Sequence, residues 1–238
     1  MDNAIYAALT RQSGLMQEMQ SIANNMANAS TTGFRREGVV FSEYVDALDG
    51  EAPALSMAYA HGRSVDLQQG GLTQTGGTYD FAIEGQGFFM VQTPEGNELT
   101  RAGSFIPSAE GMLLTPDGYP VLDQGGSPIT IPPGQGPAKL SQDGTLSING
   151  APIAQVGVFL PPEGSQISHV AGTRFKSDAE PEPAEEFSVL QGQLEDSNVD
   201  PIAEVSRMIQ VQRAYELGQK FLDREDERIR GVISTLSR

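Results

Sequence analysis

The sequence predicts an α+β chain, with N- and C-terminal helices paired as a coiled coil and a mainly β region between them. Three observations carry this. Apolar residues recur at heptad spacing over residues 3–29 and again after Pro201. Short β-leaning runs separated by glycine turns fill the stretch between. The formal charge of −16 is also unevenly spread: residues 1–36 carry +1, residues 37–197 carry −17 and residues 198–238 carry 0. Like charge on packed copies repels and is costly to bury, so neutral ends suit dense packing and an acidic middle suits water.

The N-terminal stripe runs Ile5, Leu9, Met16, Met19, Ala23 and Met26, with Gln12 in the remaining slot. At 1.5 Å per residue this helix would be about 40 Å long. Asn24, Asn25 and Asn28 follow at spacings of three and four, so they share a helical face although asparagine is a poor helix former. Ser30, Thr31 and Thr32 read as exit residues, with Gly33 at the position where a chain leaving a helix often needs φ > 0.

The middle is punctuated by Glu95-Gly96, Glu110-Gly111, Asp117-Gly118, Asp143-Gly144 and Asn149-Gly150. Strands are expected around 88–91, 112–114 and 145–148, as in an all-β domain. The acidic, proline-broken stretch Ser177 to Glu186 is expected to be an exposed loop or linker. In the last zone Asp200 is a good N-cap and Pro201 suits the first helical position. Ile202, Val205, Met208, Ile209, Val211, Tyr215, Leu222, Ile229, Val232 and Leu236 then mark a helix of about 36 residues, roughly 54 Å, with Gly218 a soft spot. The expected division is 1–36 and 197–238 as one discontinuous helical domain, and 37–196 as the β-rich domain. The alternative packs both stripes against the β domain.

Several functions are disfavoured. A net charge of −16 lacks the basic footprint of a nucleic-acid binder. No apolar run approaches membrane-spanning length, and the N-terminus lacks a basic segment followed by an apolar stretch, so neither membrane insertion nor general secretory export is expected. Zero cysteines exclude disulfides and thiolate chemistry. His61 and His169 are far apart and without ligand-like neighbours. Gly85-Gln86-Gly87 begins like a nucleotide loop but reads better as a tight turn before a strand. We expect no catalytic residues, no cofactor and no metal.

Two terminal stretches and one internal stretch carry a family resemblance. "ANNMANASTTGFRRE" resembles the N-terminal signature of flagellar rod and hook proteins, matching at Asn25, Met26, Ala27, Asn28, Thr31, Gly33, Phe34 and Arg35. Met26 and Thr32 depart mildly from the usual Leu and Pro. "SNVDPIAEVSRMIQVQRAYE" is similar to the C-terminal signature, at Asn198, Asp200, Gln212, Arg213 and Tyr215. "YDFAIEGQGFFMVQTPEG" and "LTRAGSF" resemble the family's β-domain motif, with Tyr79 and Phe81 replacing the usual leucines. The opening and the short length look most like the proximal-rod members.

The resemblance implies a structural subunit of the flagellar basal-body rod in the periplasm, exported by the flagellar type III apparatus and assembling with its own copies and other rod subunits. Ile5, Leu9, Met16, Met19 and Met26 would then pack against Ile209, Tyr215, Leu222, Ile229 and Leu236 and their counterparts in neighbours. The asparagine amides, which both donate and accept, would bond neighbouring backbones and fix register, while Phe34 anchors the exit from the helix. A distal-rod subunit, a secreted carbohydrate-binding β module and a cell-wall hydrolase using Asp80 and Glu84 are the alternatives.

Overall fold

The computed structural model describes residues 2–46, 55–132, 134 and 136–236, with side chains for all but 2–4, 41–46, 55–61 and 236. The chain divides into two compact units: residues 1–27, 37–64 and 200–238 form one, and residues 28–36 and 65–199 the other. The 37–64 stretch, read from sequence as part of the β region, therefore groups with the helices.

The first unit contains α1 (Asp2–Ala27), α2 (Pro201–Leu236) and a hairpin of strands Glu37–Asp46 and Leu55–Val65. The α2 start is built as its sequence predicts. Asp200 Oδ1 accepts hydrogen bonds from the Ile202 and Ala203 amides at 2.9 and 3.2 Å, and Pro201 has no amide to orphan. The two helices run antiparallel, since Gln12 reaches Tyr215, Glu18 pairs with Arg207 and Asn25 reaches Glu204. Gly218 does not break α2. A Cβ there would lie 2.7 Å from Gln12 Nε2, whose amide donates to the Tyr215 carbonyl at 3.1 Å, so the missing side chain makes room for the neighbouring helix.

The seam between the helices is Leu15, Ile22 and Val211, flanked by Met19, Met208, Ala214 and Tyr215. Leu15 and Ile22 lie outside the stripe read from the sequence. Apolar residues occupy more of α1 than one seam can cover, and the chain buries the face that also carries Gly14, Ser21 and Asn25.

The second unit is β-rich. Its largest sheet is antiparallel, in the order Ile167–Ala171, Arg174–Ser177, Gly96–Thr100, Phe89–Thr93. Side-chain alternation along the last strand feeds two cores: Phe89 and Val91 enter a large cluster with Phe81, Phe105, Leu113 and Leu146, while Phe88 and Met90 join Leu99, Leu122, Phe159 and Phe175. Phe105 takes the ring edges of both Phe81 and Phe89, with centroids 5.8 and 5.3 Å away. Asn149 and Gly150, at φ 50° and 84°, turn the hairpin between Thr145–Ile148 and Ala151–Gln155 as a tight Asn-Gly turn requires.

The acidic stretch, expected to be an exposed loop or linker, is largely exposed, but it is fastened to the β-rich unit, because Glu182–Pro183 pairs with Phe159–Leu160 and Ala184 is buried in the main core. Proline is tolerated in so short a pairing, and the acidic side chains at 182, 185 and 186 still face water. The late strands Ser188–Gln191 and Gln193–Glu195 return to pair with Phe81–Glu84 and Leu72–Gln74.

Candidate assembly site

The signature residues form two constructions, one in each unit. In the β-rich unit the segment 28–36 is bonded to the segment 193–199. The Asn28 carbonyl and side-chain oxygen accept from the Thr31 amide and hydroxyl, so Asn28 closes the exit turn after α1. Gly33 has φ 70° and donates its amide to the Glu195 carbonyl at 2.7 Å. A Cβ at Gly33 would stand 2.2 Å from the Ala102 amide nitrogen, so both the backbone conformation and the space demand glycine.

Phe34 is buried and stacks on the His169 ring, 5.1 Å between centroids, with Phe175 on that ring as well. His169 Nε2 lies 2.9 Å from the Arg35 carbonyl, so this histidine is held structurally. The His61 side chain lies outside the described residues.

Asn198 uses its whole amide. Its oxygen accepts from the Arg36 amide at 2.7 Å, and its nitrogen donates to the carbonyls of Asp66 and Gln68 at 3.0 and 2.9 Å. Three separate chain segments meet on one side chain.

Beneath them lies a buried ionic cluster. Glu195 Oε1 is 2.6 Å from Arg35 Nη1, and Oε2 is 2.9 Å from Arg101 Nη1, with all three side chains at most 2% exposed. The Gly70 amide also donates to Oε1, at 2.9 Å. Arg101 continues to the Gly85 carbonyl at 2.6 Å and lies over the Phe88 ring. Two cations thus face one buried carboxylate. Burial pushes the Arg101 guanidinium down to about 10 and lowers that of Arg35, while Glu195 opposes the fall at both. Arg35 and Arg101 stand in the motifs quoted above, but Glu195 was missed. Its one sequence signal is its place two residues before the Ser197-Asn198 signature.

In the helical unit, Asn25 is buried and behaves as a backbone mimic. It donates to the Glu37 carbonyl at 2.8 Å and accepts from the Glu37 amide at 2.9 Å, and its nitrogen is 3.4 Å from Glu204 Oε2. Ser21 Oγ donates to the same Glu37 carbonyl. Asn25 therefore bonds a backbone of its own chain, and Asn24 sits exposed on α1.

The predicted seam residues divide. Met19 and Tyr215 lie against the intrachain cluster, and Ile5 and Leu222 are half-buried. Leu9, Met16, Met26, Ile209 and Ile229 remain exposed, at 49, 43, 39, 44 and 39%. Gln212 and Arg213 are exposed beside them, and the Leu236 side chain lies outside the described residues. Both helices thus present apolar side chains that their own unit leaves uncovered.

The carboxylates of the hydrolase reading have ordinary roles: Asp80 accepts from the Thr75 hydroxyl at 2.6 Å, and Glu84 is exposed at a strand end. Among the described residues no group of His, Asp and Glu is placed to hold a metal ion, and no helix is long and apolar enough to cross a membrane.

Comparison with known proteins bears on these constructions directly. The family model described as flagellar hook protein FlgE/F/G D1 domain matches residues 82–148, and that of flagellar basal body rod FlgEFG protein C-terminal matches residues 190–235. The chain is 38% identical to flagellar basal-body rod protein FlgF of Caulobacter vibrioides, over 100% of this chain and 99% of that one. It is 36% identical to the protein of the same name from Mesorhizobium japonicum and 35% identical to that from Rhizobium meliloti, each over 91% of this chain and 90% of the relative.

Proposed function

The chain belongs to the FlgE/F/G family of flagellar rod and hook proteins, and on that premise we propose that it is a structural subunit of the bacterial flagellar basal-body rod. The finer reading is mechanical. The terminal segments 1–36 and 197–238 act as one axial coiled-coil domain, and the acidic β-rich region forms an outer, water-facing layer. Neighbours in the rod are further copies and other rod subunits, and the chain reaches the periplasm through the flagellar type III export apparatus. No chemistry is assigned to it; its work is to carry torque.

The observation that carries this reading is the uncovered apolar face of the terminal helices. Leu9, Met16, Met26, Ile209 and Ile229 keep about two-fifths to a half of their surface in water while the seam beside them is dry. Fully burying such a side chain from full exposure stabilises by about 1.5–3 kcal/mol, and since each of these is already about half covered, an assembly that completes the burial gains about 1 kcal/mol at each of the five. The methionines give that surface adaptability where one subunit type must meet different neighbours. The bonded segments 28–36 and 193–199 supply the second mechanical requirement, a chain entry and exit that cannot slide on each other.

The test is an in-frame deletion in the source bacterium, with basal bodies purified and imaged by electron microscopy. Missing or truncated rods without hooks, rescued by the wild-type chain, are expected. Complete rods with hooks and normal swimming would refute the assignment.

A further inference from the structure

The chain passes between its two compact units four times, at 27/28, 36/37, 64/65 and 199/200. Any load carried along the chain from the helical unit to the β-rich unit enters through these crossings. A strand that leaves a fold alone can be peeled away one hydrogen bond at a time. Strands tied to each other where they leave share the load, and their bonds must break together.

Three of the four crossings are tied by a single side chain inside the β-rich unit, that of Asn198. Arg36 is the last residue before the second crossing, and its amide donates to Asn198 Oδ1 at 2.7 Å. Asp66 is the second residue after the third crossing, and its carbonyl accepts from Asn198 Nδ2 at 3.0 Å. Asn198 itself stands two residues before the fourth. The backbone completes the tie: the Asp66 amide donates to the Arg36 carbonyl at 2.8 Å, and the Asn198 amide to the Phe34 carbonyl at 3.4 Å.

The tie is anchored inward as well. Asn198 Nδ2 also donates to the Gln68 carbonyl at 2.9 Å, and that carbonyl accepts from Arg35 Nη1 at 2.5 Å. Arg35 is in turn held by the buried Glu195. The chemistry needs an amide: an ionised aspartate at 198 would keep the acceptor for Arg36 and lose both donors, and an alanine would lose all three bonds.

We propose that Asn198 is a mechanical clamp, which binds three of the chain crossings into one cross-section so that load reaching the β-rich unit is shared among them. This inference rests on the rod reading above and names the residue through which torque is divided between the strands.

Two measurements test it. In native-state hydrogen exchange of the full chain, the amides of Arg36, Asp66 and Asn198 are expected to open in one event, with the same response to added urea. Openings that respond differently to urea overturn the clamp. In Asn198→Ala, exchange at the Asp66 amide, whose own bond is to Arg36 and not to Asn198, is expected to quicken at least about tenfold, while the Leu122 amide of the core keeps its protection. An unchanged Asp66 rate overturns it too. The second measurement follows beads on flagellar stubs in the source bacterium lacking its own copy. With small beads, Asn198→Ala motors are expected to turn at the wild-type speed; with large beads, the fraction still turning should fall several-fold below wild type. Equal persistence at both loads overturns the load-sharing role and leaves the rod reading standing, whereas normal swimming of the deletion strain overturns the rod reading itself. If Asn198→Ala builds no rods, the exchange of the wild-type chain, which needs no variant, decides.

Discussion

Replacing Glu195 by Ala removes the one carboxylate between two buried guanidinium groups. The structure sets the scale of the loss. Arg101 is 2% exposed, and burial brings its guanidinium well below its ordinary value, to about 10, even with Glu195 in place. That fall corresponds to about 3 kcal/mol by which the site already disfavours the cation. The contacts at 2.6 and 2.9 Å from Arg35 and Arg101 limit the cost, and Glu195→Ala deletes both. Orphaning one buried partner typically costs about 3–5 kcal/mol, and here two are orphaned, so a loss of about 5 kcal/mol is expected. Against a total stability of about 5–15 kcal/mol this brings the β-rich unit close to unfolding. The assay is urea unfolding of the full chain followed by near-ultraviolet circular dichroism, because the buried phenylalanine clusters lie in this unit. With a slope of about 2 kcal/mol/M, the midpoint should fall by about 2.5 M. Glu195→Gln keeps the shape and loses the charge, and should retain less than half of that stability. Arg101→Met, which leaves one cation facing one carboxylate, should cost less than Glu195→Ala. A loss below about 1 kcal/mol for Glu195→Ala would refute the charge argument, as would a Gln variant as stable as the parent.

Three further changes are predicted. Gly33→Ala puts a methyl 2.2 Å from the Ala102 amide nitrogen and strains φ 70°, so a loss of at least about 2 kcal/mol is expected in the same urea assay, and an unchanged midpoint would contradict it. Asn25→Leu deletes both hydrogen bonds to the Glu37 backbone and should cost about 2–3 kcal/mol; hydrogen exchange at the Glu37 amide should quicken, and unaltered exchange would count against the bond. Asp200→Ala removes the acceptor for the Ile202 and Ala203 amides and should cost about 1 kcal/mol, read as earlier thermal loss of helix by far-ultraviolet circular dichroism, whereas Asp200→Asn should hold most of it.

What the sequence made legible is what is local. The start of α2 at Asp200-Pro201, its length, the Gly33 exit and the Asn149-Gly150 hairpin each follow from a few adjacent residues whose conformational preferences are strong. What it concealed depends on partners far along the chain. Ala184 is buried because its neighbours pair with Phe159–Leu160, and nothing in an acidic, proline-broken stretch announces that pairing. Glu195 is one acid among many until Arg35 and Arg101, 160 and 94 positions away, are brought to it. The stretch 37–64 joins the helical unit in part because Asn25 and Ser21 hold the Glu37 backbone, a bond no strand pattern reveals.

The helical stripe is the instructive case. Heptad spacing identifies residues that want to leave water but does not say which neighbour will cover them. One stripe on α1, through Leu15 and Ile22, is covered by Val211 of the same chain, and a second, through Leu9 and Met16, stays about half exposed among the described residues. In a monomeric enzyme the second stripe would be a solubility defect, and selection would replace it with charge. Here it is kept on the near-neutral ends of a chain whose middle carries −17. On the rod reading proposed above, the two facts have one physical cause: ends that meet other subunits at close range cannot carry charge that would have to be buried, and the water-facing middle can.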